Sequence, residues 1–148
     1  MILHLTRIIC GKYHKSNERR QASCLVYYTT KTYDLAINNK EQIFKVVAVL
    51  KRGKHIVKIG VNSDKTNPRF PQKYTDGTVG YCMHAEMNVL RWAKPGDKLE
   101  VLRFRNDDKT KLAMAKPCIH CQKYIKLAGI KKVKYTNNHG DWENLKIN

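Results

Sequence analysis

Two short clusters constrain this chain more than anything else in it. His84-Ala85-Glu86 opens one predicted helix, and Pro117-Cys118-Ile119-His120-Cys121 opens the next. A fold that uses both must bring two helix N-termini face to face. Cys118 and Cys121 stand one helical turn apart, so both thiols share a helix face. A helix N-terminus favours negative charge and so helps hold a thiol as thiolate. Pro117 suits the position before the first turn, where no backbone donor is missed.

This residue set matches a particular chemistry. A catalytic zinc takes three protein ligands and keeps one position open for water. The metal lowers the pKa of that water from 15.7 to about 7. His84, Cys118 and Cys121 are the candidate ligands. Glu86, two residues from His84, is the carboxylate placed near the water without binding the metal. Other readings of the parts exist. A lone Cys-x-x-Cys also serves as a redox pair or as half of a structural zinc site. The redox reading leaves His84 and Glu86 unexplained. A structural zinc wants a fourth ligand, for which Cys82 and His120 are the candidates; Cys82 also reads as a core residue.

The flanking pattern gives the frame. Residues 43–50 are rich in β-branched types, and residues 56–61 follow a turn containing Gly53, which predicts a hairpin. Residues 62–83 form a long loop with Pro68, Pro71, Gly77 and Gly80. A loop of that length in a compact domain is usually functional. The spacing predicts a helix over 84–94, a strand over 99–104, a polar turn over 106–111, a helix over 118–128 closed by Gly129, and a strand over 130–136. Residues 142–147 read as a short strand or helix. Such alternation predicts an α/β three-layer sandwich: one mixed sheet of about five strands with helices on both faces. Leu25–Thr30 has strand composition. The expected organisation is a single domain over 1–148, with residues 1–40 a basic segment of unassigned structure.

His-x-Glu followed by Pro-Cys-x-x-Cys, each half at a helix start, is the signature of the zinc nucleobase deaminases. From about Phe44 to Tyr135 the chain resembles the zinc-dependent cytidine deaminase superfamily. Ile59-Gly60-Val61-Asn62 and Ala128-Gly129-Ile130-Lys131-Lys132-Val133 look like the deoxycytidylate deaminases. The polynucleotide cytidine deaminases and the tRNA adenosine deaminases share the core signature. The resemblance implies a cytidine deaminase-like fold, a zinc cofactor and attack of an activated water on C4 of cytosine. It implies that Glu86 takes the proton from water, protonates ring N3 and then protonates the departing ammonia. It also implies that the amide at Ala85 orients the base and that Asn62 holds the sugar, although Asn62 reads equally as a turn residue ending a strand. In the loop, Arg69, Phe70 and Tyr74 can grip a phosphate and stack a base, or form a lid whose aromatics pack down. Pro117 and His120, which projects away from the metal, complete the candidate substrate contacts. Members of the superfamily often form dimers or tetramers.

Charge bears on the substrate. Of 148 residues, 29 are Lys or Arg and 12 are Asp or Glu, a net charge of +17, and each third of the chain is net positive. Such an excess opposes compaction unless something acidic offsets it. Single-stranded DNA or RNA is therefore the expected partner, with a nucleotide monophosphate as the alternative and a solvated lysine-rich surface as the bland one. Adenine in RNA and a non-catalytic zinc-containing nucleic-acid-binding module are further readings of the same signature and charge. The five cysteines form an odd set, and no apolar run approaches the ~20 residues of a membrane helix. With no signal-peptide pattern at Met1–Arg7, the expectation is an intracellular protein without membrane contact.

Overall fold

The structure is a computed structural model that describes residues 30–40, 42–66, 71–73, 77, 79–80 and 82–147. Residues 30–37 are helical (α1). The hairpin of β1 (Lys45–Arg52) and β2 (His55–Val61) follows. The long loop carries four short strands: β3 (Ser63–Thr66), β4 (Gln72–Lys73), β5 (Val79–Gly80) and β6 (Cys82–Met83). They pair as two small antiparallel ladders, β3 with β6 and β4 with β5. Then come α2 (Ala85–Leu90), β7 (Lys98–Phe104), β8 (Leu112–Ala113), α3 (Ile119–Leu127), β9 (Lys132–Thr136) and β10 (Trp142–Leu145).

The main sheet has the order β10-β9-β7-β1-β2, with β8 paired to the end of β7. β1 runs antiparallel to both β2 and β7, whereas β7 and β9 are parallel. A parallel pair needs a crossover, and α3 supplies it. β10 turns back antiparallel onto β9. The sheet is therefore mixed, as expected, and β8 adds a sixth strand to the five foreseen.

Strand alternation splits the core between the two faces. Ala48, Leu50, Leu99, Val101, Val133 and Tyr135 face α2 and α3, where they meet Met87, Val89, Leu90, Cys121 and Ile125. Val47, Val49, Leu102 and Phe104 face the other way and meet Tyr33 and Ala36 of α1. Tyr33 stands edge-on to Phe104 with ring centroids 5.4 Å apart. Helices thus cover both faces. Trp142 packs on the α1 side, and the Tyr135 hydroxyl donates to Glu143 at 2.7 Å. Both aromatics pack against the core.

Several boundaries moved, among them the start of β9, at Lys132 rather than Ile130. Ile43 and Phe44 were expected inside β1, but they precede it and are exposed. α2 ends at Leu90 rather than Lys94, which leaves Trp92 outside the helix and half-exposed. The polar turn before residue 112 is followed by β8, which pairs Leu112 with Phe104 and Ala113 with Arg103. Of the strand expected over Leu25–Thr30, residues 25–29 lie outside the described residues, and Thr30 is helical. No described helix is long and apolar enough to cross a membrane.

Candidate active site

β2 leads toward the sheet end where β7 and β9 finish. Val61 is opposite Val47, and Val47 is opposite Leu102. Both metal-binding helices start at that end. α2 sits close on β2 because residue 60 is glycine: a Cβ there would stand 2.8 Å from Val89 Cγ1 and 3.0 Å from Asn88 Cβ. Asn88 Nδ2 donates to the Val61 carbonyl at 3.1 Å, fixing the helix to the strand end. The stretch before α3 is held by the Ala115 amide donating to the Thr136 carbonyl at 2.8 Å. Gln122 Nε2 donates to the carbonyl of buried Pro117 at 2.7 Å.

His84 is the N-cap of α2 and Cys118 the N-cap of α3; both have extended backbones and neither caps its helix with its own side chain. Those side chains turn toward each other instead. His84 Nδ1 lies 3.3 Å from Cys121 Sγ and 3.6 Å from Cys118 Sγ. The ligand atoms of His84, Cys118 and Cys121 all lie within 4.8 Å of one another. Tetrahedral zinc with N and S ligands sets N···S edges of about 3.6 Å. The trio therefore fits zinc in both donor type and spacing. It is the group of this kind among the described residues. The side chain of Cys82 is not described.

The electrostatics suit a cation. The hydrogen bond from Cys121 holds the Cys118 thiol far below the usual range, at about 3, and His84 adds to the effect. The same hydrogen bond, together with burial, pushes the Cys121 thiol up. His84 is raised, mainly by its hydrogen bond with Cys118. Zinc stabilises deprotonated thiolate ligands.

Glu86 sits in the first turn of α2 and is 5 % exposed. Burial pushes its carboxyl above the ordinary range; the charge on His84 and a hydrogen bond with Cys121 oppose that. Glu86 is therefore at the trio, buried and within hydrogen-bonding reach of a ligand. A carboxylate raised by burial is suited to general acid–base work.

The other expected residues divide. Ala85 is fully buried in the first turn of α2. His120 is half-buried between the cysteines. Asn62 is engaged with the protein: its Oδ1 accepts from the Val46 amide at 3.2 Å, and its Nδ2 donates to Gln42 Oε1 and to the Phe44 carbonyl, each at 2.9 Å. Arg69, Phe70 and Tyr74 lie outside the described residues. The loop does reach α3, for Tyr124 donates to the Pro71 carbonyl at 3.2 Å. Sequence reasoning missed Asn88 and Gln122. A signal existed for Asn88, an amide between apolar Met87 and Val89 on a helix expected to be buried.

Residues 22–137 match the family model of the cytidine and deoxycytidylate deaminase zinc-binding region. The match begins before the span of resemblance read from the motifs and takes in α1. No curated protein matches. Among solved structures, the dCMP deaminase of cyanophage S-TIM5 in apo form is 24% identical, with a TM-score of 0.45 over 74% of this chain and 82% of that one. The same protein in complex with dCMP and dUMP is 24% identical, with a TM-score of 0.46 over 84% of this chain and 85% of that one. The family match covers most of the chain and includes both halves of the His/Cys/Cys group, so this protein belongs to the family of zinc-binding cytidine and deoxycytidylate deaminases.

Proposed function

We propose that this chain hydrolyses cytosine to uracil in single-stranded nucleic acid, with Glu86 carrying the protons. The observation behind the catalytic part is the position of Glu86. It is a buried carboxylate in the first turn of α2, two residues after His84, and it hydrogen-bonds Cys121. Zinc held by His84, Cys118 and Cys121 would supply a water acidic enough to ionise near neutrality. Glu86 takes one proton from that water as its oxygen bonds to C4, and passes that proton to ring N3. It then takes the remaining hydroxyl proton and delivers it to the amino group as the C4–N bond breaks, and ammonia leaves. Cytosine and water go in; uracil and ammonia come out. The backbone amide at Ala85 orients the base, and Asn62 holds the sugar once it is released from Gln42. Arg69, Phe70, Tyr74, Pro117 and His120 complete the proposed contacts.

The polynucleotide reading is supported by the net charge of +17, more than one phosphate requires. A second reading is supported by the description of the family model, which names deoxycytidylate. The two separate in one assay. A cytosine-containing single-stranded oligonucleotide and dCMP are offered side by side to the zinc-loaded protein, with Glu86→Ala as blank. Uracil mainly in the oligonucleotide supports the proposal; turnover of dCMP alone replaces it with the second reading.

A further inference from the structure

The sheet has a second end, away from the zinc site. β7 starts opposite the end at which His84 and Cys118 meet, and α3, which spans about 13 Å, runs from the site toward it. The β1–β2 turn and the connections that follow α2 and α3 converge there. Gly96 donates to the Gly129 carbonyl at 2.8 Å, and Lys131 to the Asp97 carbonyl at 2.7 Å. Gly129, at φ +70°, lies so near Pro95 that an added Cβ would be 3.1 Å from its Cα. These turns therefore form a fixed surface.

Cations crowd that surface. Lys98 is directly opposite Lys132 across the parallel pair, and like charges so placed are destabilising. Exposed Lys54, Lys94 and Lys131 adjoin them. The acids nearby are already matched: Asp97 is 2 % exposed and accepts two hydrogen bonds from the Arg52 guanidinium, at 2.8 and 2.9 Å, while Glu100 binds Lys51 at 2.6 Å. An apolar platform completes the patch. The Trp92 ring is 38 % exposed, with Lys58 Nζ 4.5 Å and Arg91 Cζ 4.4 Å from its centroid.

We infer that this end of the sheet is a docking surface for the backbone of a single-stranded nucleic acid, separate from the zinc site. Lysines in excess of the nearby acids on a fixed surface fit a row of phosphates and release their counterions on binding. Trp92 favours a single strand over other polyanions, because an unpaired base can stack on it. An exposed cation–π pair is worth about 0.5–1 kcal/mol and base stacking about 1–3 kcal/mol, so a base can displace one of the cations. Repulsion among the lysines disfavours a second copy of this chain as the occupant. The inference rests on the nucleic-acid part of the proposed function and not on catalysis.

The test is fluorescence anisotropy with an oligothymidylate of about 30 nucleotides, which offers phosphates and bases but no cytosine. Zinc-loaded full-length protein is compared with Lys98→Gln/Lys131→Gln/Lys132→Gln and with Trp92→Ala, each checked for zinc content and melting temperature. The triple variant is expected to bind at least tenfold more weakly, and the slope of log affinity against log salt should flatten by about 2. Trp92→Ala is expected to weaken binding roughly 5- to 100-fold at unchanged salt slope. Unaltered binding by both variants overturns the inference. So does binding to phosphatidylserine vesicles that exceeds binding to the oligonucleotide and falls with the same lysines, since that marks a membrane surface. Glu86→Ala should bind like the parent. If every cytosine substrate resists deamination while oligothymidylate binding still depends on these lysines, the catalytic proposal fails and the docking surface stands.

Discussion

His84 Nδ1 stands 3.3 Å from Cys121 Sγ although 37 positions separate the two residues in the chain. The contact exists only because α2 and α3 start at the same end of the sheet. Replacing Cys121 by Ser should therefore remove zinc while leaving much of the fold, since Cys121 is one buried residue of a larger cluster. Loss of a partner behind a ligand already costs roughly 10–100-fold in metal affinity, and loss of the ligand itself should cost more. Zinc stoichiometry by atomic emission after dialysis against a weak chelator checks this; full retention of zinc would show that the trio is not the metal site.

Glu86→Gln separates proton transfer from metal binding. The amide keeps the size of the buried side chain but cannot shuttle a proton. The expected result is wild-type zinc content with turnover reduced roughly 10²–10⁴-fold, the usual worth of a general acid–base. Parallel loss of zinc and activity would reassign Glu86 to holding the site together.

Gly60→Ala tests how α2 is seated. The new methyl would sit 2.8 Å from Val89 Cγ1, so the helix must shift. Overpacking of this kind costs about 1–3 kcal/mol. Urea denaturation should show a lower midpoint at unchanged slope. A stability equal to wild type would mean that β2 and α2 are not in the close contact described.

Asp97 gives a pH prediction whose sign is fixed. The hydrogen bond from Arg52 holds its carboxyl below the ordinary value of 3.8. The folded pKa is thus lower than the unfolded one. The stabilisation is complete above about 3.8 and is lost as pH falls from there through the folded value. Asp97→Ala should lower stability near neutrality by about 1–3 kcal/mol, as loss of a buried charge-assisted hydrogen bond does. The gap between wild type and variant should then narrow in acid below pH 4. A gap that stays constant down to pH 2 would contradict the assignment.

The sequence made the sheet and the metal-binding helices legible for different reasons. β1, β7 and β9 carry β-branched or aliphatic runs ended by Gly or polar turns, and the two ligand clusters coincide with helix starts. Other parts left weaker traces. The buried stripe of α1, Thr32 and Ala36, is too small and polar to stand out as a hydrophobic period. β8 contributes two residues, and its pairing depends on the hairpin geometry at the end of β7. α2 stops early where Arg52 binds the Trp92 carbonyl at 3.2 Å, a tertiary contact with no local signal, and where Asp97 takes the Lys94 amide at 2.9 Å in the turn that follows. Asn62 was read as a sugar contact or a strand-ending residue, and its bonds to Val46, Gln42 and Phe44 are those of a residue that joins the two strand ends.

The most direct test of the central claim is mass spectrometry of a cytosine-containing single-stranded oligonucleotide incubated with the zinc-loaded protein, with Glu86→Gln in parallel. The account predicts a mass gain of about 1 Da per converted cytosine, release of one ammonia for each, and at least a hundredfold less of both with the variant. An unchanged oligonucleotide, from protein that holds one zinc per chain, would contradict it.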